Sequence, residues 1–295
     1  MSRKKLIFDK IKEEQNQLHP TRKELYKKLE LHFGDVPIVS LFTSFNYTVM
    51  LQDGDAKMLE GVLQKEDLKK GLILFISSPG GDGLAAERII NICKTYSGTG
   101  KYQVIVPSKA KSAATMVCLG AEKIIMGKTS ELGAVDPQLL LDENGKPKIY
   151  SVYRLIENYK KLFNDAINTK GKIEPYLQQL SAYDPRDIAD YEVAMEESSD
   201  ITIKALINGM LSGSTEDQIR QKVELFLKPE KVKTHGRAIY SNDALNCGLN
   251  IDVVSPTDIK WDLAYELYMR LDNYVSRNNV AKCIESKNYS YLAGV

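Results

Sequence analysis

Residues 72–81 read Leu72-Ile73-Leu74-Phe75-Ile76-Ser77-Ser78-Pro79-Gly80-Gly81, an apolar run that passes into a proline and two glycines. An apolar run with no polar alternation marks a strand buried on both faces, as in a parallel sheet. The glycines permit a sharp turn that exposes backbone amides, and residues 83–96 beyond them carry helical spacing. The same alternation repeats outward from this corner. Residues 37–42 read as a strand, 55–64 as a helix and 102–106 as a strand; a short helix then begins near Ser112, before a strand at 123–126. Strand and helix in succession predict an α/β fold, a parallel sheet covered by helices on both faces.

Away from this core the pattern changes. Residues 3–32 carry Leu6, Ile7, Ile11, Leu18, Leu25 and Leu29 among many charges, a helical reading broken at His19-Pro20. They are expected as an N-terminal appendage over 1–35. Residues 36–140 and 235–255 form the expected α/β core. Between about 150 and 228 the signal is wholly helical, with breaks at Pro175, Pro185 and Gly213-Ser214-Thr215. The intervening 141–234 is therefore read as an inserted helical arm or lid. Ser241 is expected to cap a short helix that Gly248 closes, 249–254 resume as a strand, and 256–295 supply a final helix over 258–275 and a tail.

Composition narrows the function classes. At 295 residues and 43% hydrophobic content the chain can bury a sizeable core. Forty basic against 39 acidic residues give a net charge of +1, without the cationic surface that nucleic acid or anionic lipid favours. Cys93, Cys118, Cys247 and Cys283 lie far apart and lack the paired spacing of a zinc site, so neither metal nor cofactor is expected and a reducing, cytoplasmic setting is. No segment approaches the run of about 18 uncharged apolar residues that an integral membrane span needs.

A second corner carries the chemistry. The strand over 102–106 ends at Pro107, and Lys111-Ser112-Ala113-Ala114-Thr115-Met116 then opens a helix. Ser112 reads either as a helix cap or as a nucleophile. Small neighbours leave room for a substrate carbonyl above its hydroxyl, and the helix N-terminus favours negative charge there. Corners on successive parallel strands share one sheet edge, outside the strand C-termini, where open α/β sheets bind ligands. No Gly-Lys-Ser/Thr follows Gly81, which disfavours a nucleotide-binding loop. The pairing points to acyl transfer.

Taken together, these segments resemble the Clp-fold serine peptidases, which include the Clp protease and the signal peptide peptidase A type. Ser78-Pro79-Gly80-Gly81 is similar to their Ser-Pro-Gly-Gly loop, and Ser112 followed by Leu119-Gly120-Ala121-Glu122-Lys123-Ile124 to their nucleophile helix and next strand. The serine dehydrogenase proteinase family is more similar still, through Val106-Pro107, Lys111 to Thr115 and Glu131-Leu132-Gly133-Ala134-Val135-Asp136-Pro137-Gln138. The resemblance implies a Clp/crotonase-like core and an ATP-independent serine endopeptidase acting on peptides or proteins as a homo-oligomer. It makes Ser112 the nucleophile and the amides of Gly81 and Ala113 the oxyanion donors.

The family pattern is broken at the base. Clp proteases keep a histidine in the segment that here reads Ala134-Val135-Asp136-Pro137-Gln138, and Asp136 stands near its place. His19 and His32 belong to the N-terminal region, which leaves His235 as the histidine expected to approach the core. A rearranged triad would use His235 as base and Asp136 to orient it, since triads are defined by geometry and not chain order. The rival is a serine–lysine dyad, with Lys160 or Lys161 on the first helix after the sheet, or Lys109 or Lys111 beside the serine. Each also reads as an ordinary surface charge, as His235 reads as a loop residue. Two other functions stay open: an inactive Clp-fold scaffold that binds protein partners, and a crotonase-type enzyme acting on acyl-CoA.

Overall fold

The computed structural model describes residues 6–14, 18–143 and 145–294. In chain order the first part forms α1 (Ile7–Glu13), α2 (His19–His32), β1 (Ile38–Thr43), α3 (Asp53–Leu63), β2 (Leu72–Ser77), α4 (Gly83–Tyr96), β3 (Tyr102–Val106), α5 (Ala113–Leu119) and β4 (Lys123–Met126). A hairpin of β5 (Gln138–Glu143) and β6 (Lys146–Ser151) leads into α6 (Val152–Asn168), α7 (Glu174–Leu180), α8 (Pro185–Ile207), α9 (Glu216–Lys222), α10 (Glu224–Leu227) and α11 (Pro229–Val232). The chain returns through α12 (Ser241–Asn246), β7 (Ile251–Val253), α13 (Ile259–Arg277), β8 (Val280–Glu285) and β9 (Ser290–Gly294).

The main sheet runs in the order β7-β4-β3-β2-β1-β8-β9. Neighbours from β7 to β1 are parallel, while β8 and β9 add antiparallel strands beyond β1. Every residue of β1 and β2 is buried, which explains their lack of polar alternation. Alternate side chains sort the core into two layers. Val39, Leu41, Leu74, Ile76, Val104 and Val106 share one layer with residues of α3, α4 and α5. Ile38, Phe42, Ile73, Phe75 and Ile105 share the other with Tyr26 and Leu29 of α2 and Leu267 and Leu271 of α13.

Several local expectations need correction. From α2 onward the N-terminal region is a layer of the core: Tyr26 and Leu29 are fully buried, and Arg22 forms a bidentate pair with Glu285, Nε to Oε1 at 2.8 Å and the second nitrogen to Oε2 at 2.7 Å. The expected tail is the two antiparallel strands β8 and β9. Residues 138–143 and 146–151, placed partly in a helical arm, pair as β5 and β6, with the helices beginning at α6. Ser241 is the first residue of α12, not its cap; Tyr240 takes the N-cap position, its N–H donating to Asp243 Oδ2 at 3.1 Å, and Gly248 follows the helix at φ +75°. Among the described residues no helix is long and apolar enough to cross a membrane.

Candidate active site

The loops that leave β2, β3 and β4 emerge at the same edge and are stitched together beyond the strands. Ser78 N donates to Lys109 O at 3.0 Å, Lys111 N to Ser78 O at 3.0 Å, and Ala110 N to Glu131 O at 2.9 Å. Ser112 stands where this stitching meets α5. Its backbone lies at φ +50°, ψ −124°, a region that side-chain-bearing residues rarely occupy and that costs about 1–3 kcal/mol. Although Ser112 is at the N-cap of α5, its hydroxyl makes no cap hydrogen bond; its carbonyl accepts from Thr115 N at 2.8 Å and Met116 N at 3.2 Å. Capping therefore does not account for this serine.

Two glycines let the neighbouring loop close on it. Gly80 has φ +94°, and a Cβ there would sit 2.4 Å from Lys111 O and 2.7 Å from Ser112 Cβ. Gly81 has φ +154°, and a Cβ there would sit 2.4 Å from Leu51 N and 2.5 Å from Leu51 O. Leu51 brackets Gly81, donating to Gly80 O at 2.8 Å and accepting from Asp82 N at 3.0 Å. The N–H groups of Gly81 and Ala113 meet no acceptor among the described residues. Thus two unengaged donors, one on the glycine loop and one on the first residue of α5, lie on segments that converge at Ser112.

The segment after β4 passes behind the serine. A Cβ on Gly133 would lie 3.5 Å from Ser112 N, and Thr115 Oγ1 ties this strand to α5 by accepting from Gly133 N at 2.9 Å and donating to Ala110 O at 2.7 Å. Leu132 and Ile239 exchange backbone hydrogen bonds of 2.9 and 3.0 Å, which draws the 235–240 segment alongside. Asp136 is buried, and its Oδ1 lies 2.7 Å from Nδ1 of His235, whose side chain is 14% exposed. A carboxylate only accepts, so Nδ1 carries the proton, and Nε2 is left without a partner among the described residues. The second carboxylate oxygen, Oδ2, accepts from Ser151 Oγ at 3.2 Å.

The lysines sit otherwise. Lys111 Nζ is engaged by Glu131 at 2.8 Å and Leu132 O at 3.1 Å. Lys160 pairs with Glu192 at 2.9 Å on the surface of the arm, Lys161 is exposed beside it, and Lys109 is exposed near the Phe45 ring. Lys111 is thus largely buried but held by its ion pair and a carbonyl, while Lys109, Lys160 and Lys161 are exposed. His19 Nε2 meets Ser286 O at 2.8 Å, and His32 is exposed. Cys118 lies within α5, where burial pushes its thiol up and away from nucleophilic use.

Gly80, Thr115 and Ser151 are site residues that the sequence reading did not single out. Gly80 had a signal, the Gly80-Gly81 pair in which either residue could have been the close neighbour of the serine. Ser151 had none, because only the hairpin brings it back to Asp136.

Residues 38–167 match the model of a family described as ClpP-like SDH-type serine proteinase. Two uncharacterized proteins of Methanocaldococcus jannaschii are similar over parts of the chain. One is 32% identical over 115 residues, 39% of this chain and 36% of that protein; the other is 44% identical over 70 residues, 24% of each. The chain thus spans 36% and 24% of the lengths of the curated relatives it matches. Among solved structures, a mutant of the 1510-N membrane-bound stomatin-specific protease aligns over 75% of this chain and 98% of its own at 13% identity, with a TM-score of 0.33.

Proposed function

We propose, from the premise that residues 38–167 are a segment of the ClpP-like SDH-type serine proteinase family, that the protein is an ATP-independent serine peptidase working through an acyl-enzyme on Ser112. The observation that carries this reading is the strained backbone of Ser112, whose hydroxyl leaves its cap unmade beside two unengaged amides. A scaffold that only binds partners has no use for a strain of about 1–3 kcal/mol at a serine. A crotonase-type reaction would use the amide pair but not the hydroxyl.

In this mechanism Ser112 Oγ attacks the scissile carbonyl carbon while His235 Nε2 takes the hydroxyl proton. The Asp136 carboxylate, held on Nδ1, stabilises the imidazolium that forms. Negative charge on the tetrahedral oxygen is met by the N–H groups of Gly81 and Ala113, each donor of this kind being worth about 3–4 kcal/mol. The imidazolium returns its proton to the leaving amine, and the C–N bond breaks to give the Ser112 ester. Water attacks that ester with the same imidazole as base, releasing the acid and restoring the serine.

Peptides or proteins are the proposed substrates, and a homo-oligomer is the proposed assembly. Exposed apolar residues on the hairpin and α6, among them Leu140, Ile149, Phe163 and Ile167, support a surface that meets further copies. Four free cysteines support a reducing, cytoplasmic setting.

A panel of fluorogenic peptides without ATP tests the reading. Wild-type protein should turn some of them over, Ser112→Ala should lose that activity, His235→Ala should fall steeply, and Lys160→Ala and Lys161→Ala should match wild type. Retained hydrolysis in Ser112→Ala, or turnover of acyl-CoA thioesters in place of peptides, would overturn it.

A further inference from the structure

Ser151 ends β6 and stands at the N-cap of α6, where a serine hydroxyl ordinarily accepts from an amide of the first helical turn. It makes no such bond. Its hydroxyl instead donates to Oδ2 of Asp136 at 3.2 Å, opposite the oxygen that receives His235 Nδ1 at 2.7 Å. We propose that Ser151 is a positioning residue: it fixes the plane of the Asp136 carboxylate, and through Asp136 the orientation of the His235 imidazole. The consequence for catalysis rests on the peptidase reading given above.

A carboxylate held through one oxygen is free to turn about its Cβ–Cγ bond, whereas bonds at both oxygens remove that freedom. Among the described residues His235 and Ser151 are the hydrogen-bonding partners of the buried Asp136 side chain. Without Ser151, a charged oxygen would be left desolvated and unpaired, so the carboxylate would gain by rotating or by admitting water. The backbone keeps Ser151 where it is needed. Ser151 is paired in register with Gln138, two residues past Asp136, and Val152 N donates to Pro137 O at 3.2 Å. The base of the hairpin therefore sets the separation of the serine and the aspartate.

Ser151→Ala and Ser151→Thr in the full chain test the proposal through two readouts. The first does not depend on turnover: the ring N–H proton of His235 in a proton NMR spectrum, assigned by its loss in His235→Ala. Ser151→Ala should broaden this resonance or move it upfield, and Ser151→Thr should keep it near its wild-type position. The second is steady-state peptide hydrolysis, in which Ser151→Ala should lower kcat by about 10-fold, the scale of a hydrogen bond to a charged group, and leave KM little changed. Ser151→Thr should recover most of that loss. A resonance and a kcat both unchanged in Ser151→Ala would overturn the proposal, as would a loss that Ser151→Thr fails to recover. If the wild-type protein hydrolyses no peptide while the His235 proton responds as expected, the peptidase reading falls and the positioning of His235 by Ser151 stands.

Discussion

Replacing Gly80 with alanine places one methyl group between the glycine loop and the nucleophile. The new Cβ would lie 2.4 Å from Lys111 O and 2.7 Å from Ser112 Cβ, roughly 1 Å and 0.7 Å inside ordinary van der Waals contact. Neither neighbour is the far end of a flexible side chain, so relief must come from moving the glycine loop or the backbone that carries Ser112. The residue also sits at φ +94°, where a side chain adds about 1–2 kcal/mol, and overpacking adds about 1–3 kcal/mol more. A stability loss of about 2–5 kcal/mol follows, read from the urea midpoint at constant m-value. A nucleophile displaced by nearly 1 Å from its amides loses on the order of 100-fold in kcat. Gly100→Ala is the control: its φ is +68°, but nothing lies within 4 Å of the added carbon. That variant should show the backbone penalty, about 1 kcal/mol, and normal peptide hydrolysis. A Gly80→Ala protein with kcat within a few-fold of wild type would refute the coupling of this loop to Ser112.

Two further outcomes follow from the ion pairs that tie the chain's ends to the core. Arg22 and Glu285 are buried together, so Arg22→Met or Glu285→Gln alone should cost about 3–5 kcal/mol in urea denaturation, and the double variant clearly less than the two effects combined; additive losses would contradict the pairing. At Glu266, burial alone would raise the carboxyl, but Lys10 at 2.7 Å and Arg270 at 2.8 Å outweigh it and hold it below the usual range. A carboxyl depressed in the folded state contributes stability that is present above its unfolded pKa and is lost as pH falls through the folded value. Glu266→Gln should therefore be less stable than wild type at neutral pH and show a flatter decline in acid, measured as thermal midpoint against pH; parallel curves would show that Glu266 contributes nothing to that decline.

What could be read in the amino-acid sequence was local. The Leu72 to Ile76 run announces a doubly buried strand, and the Gly80-Gly81 and Lys111 to Thr115 strings lie whole within short windows, so the sheet corners and the serine could be found without coordinates. Charge hid the rest. Arg22 marks α2 as a surface helix until Glu285, at the other end of the chain, is seen to neutralise it inside the core. Lys282 and Glu285 likewise disguise β8, because Lys282 reaches Asp55 at 2.7 Å and Glu285 reaches Arg22. His235 came into view through the scarcity of histidines, not through any local sign of Asp136; the Leu132–Ile239 pairing that draws the two segments together has no signature in either string. Ser151 was invisible for the same reason, since its neighbour across the hairpin is fixed by strand register and not by sequence proximity.

The central claim is that Ser112 is the nucleophile, and the position of a covalent adduct tests it most directly. The full chain is treated with a fluorophosphonate near neutral pH, digested, and mapped by mass spectrometry. The account predicts one adduct, on the Ser112 hydroxyl, absent from Ser112→Ala, slowed in His235→Ala and undiminished in Lys160→Ala and Lys161→Ala. Equal labelling of Ser112→Ala, or an adduct on any other residue of the wild-type protein, would contradict it.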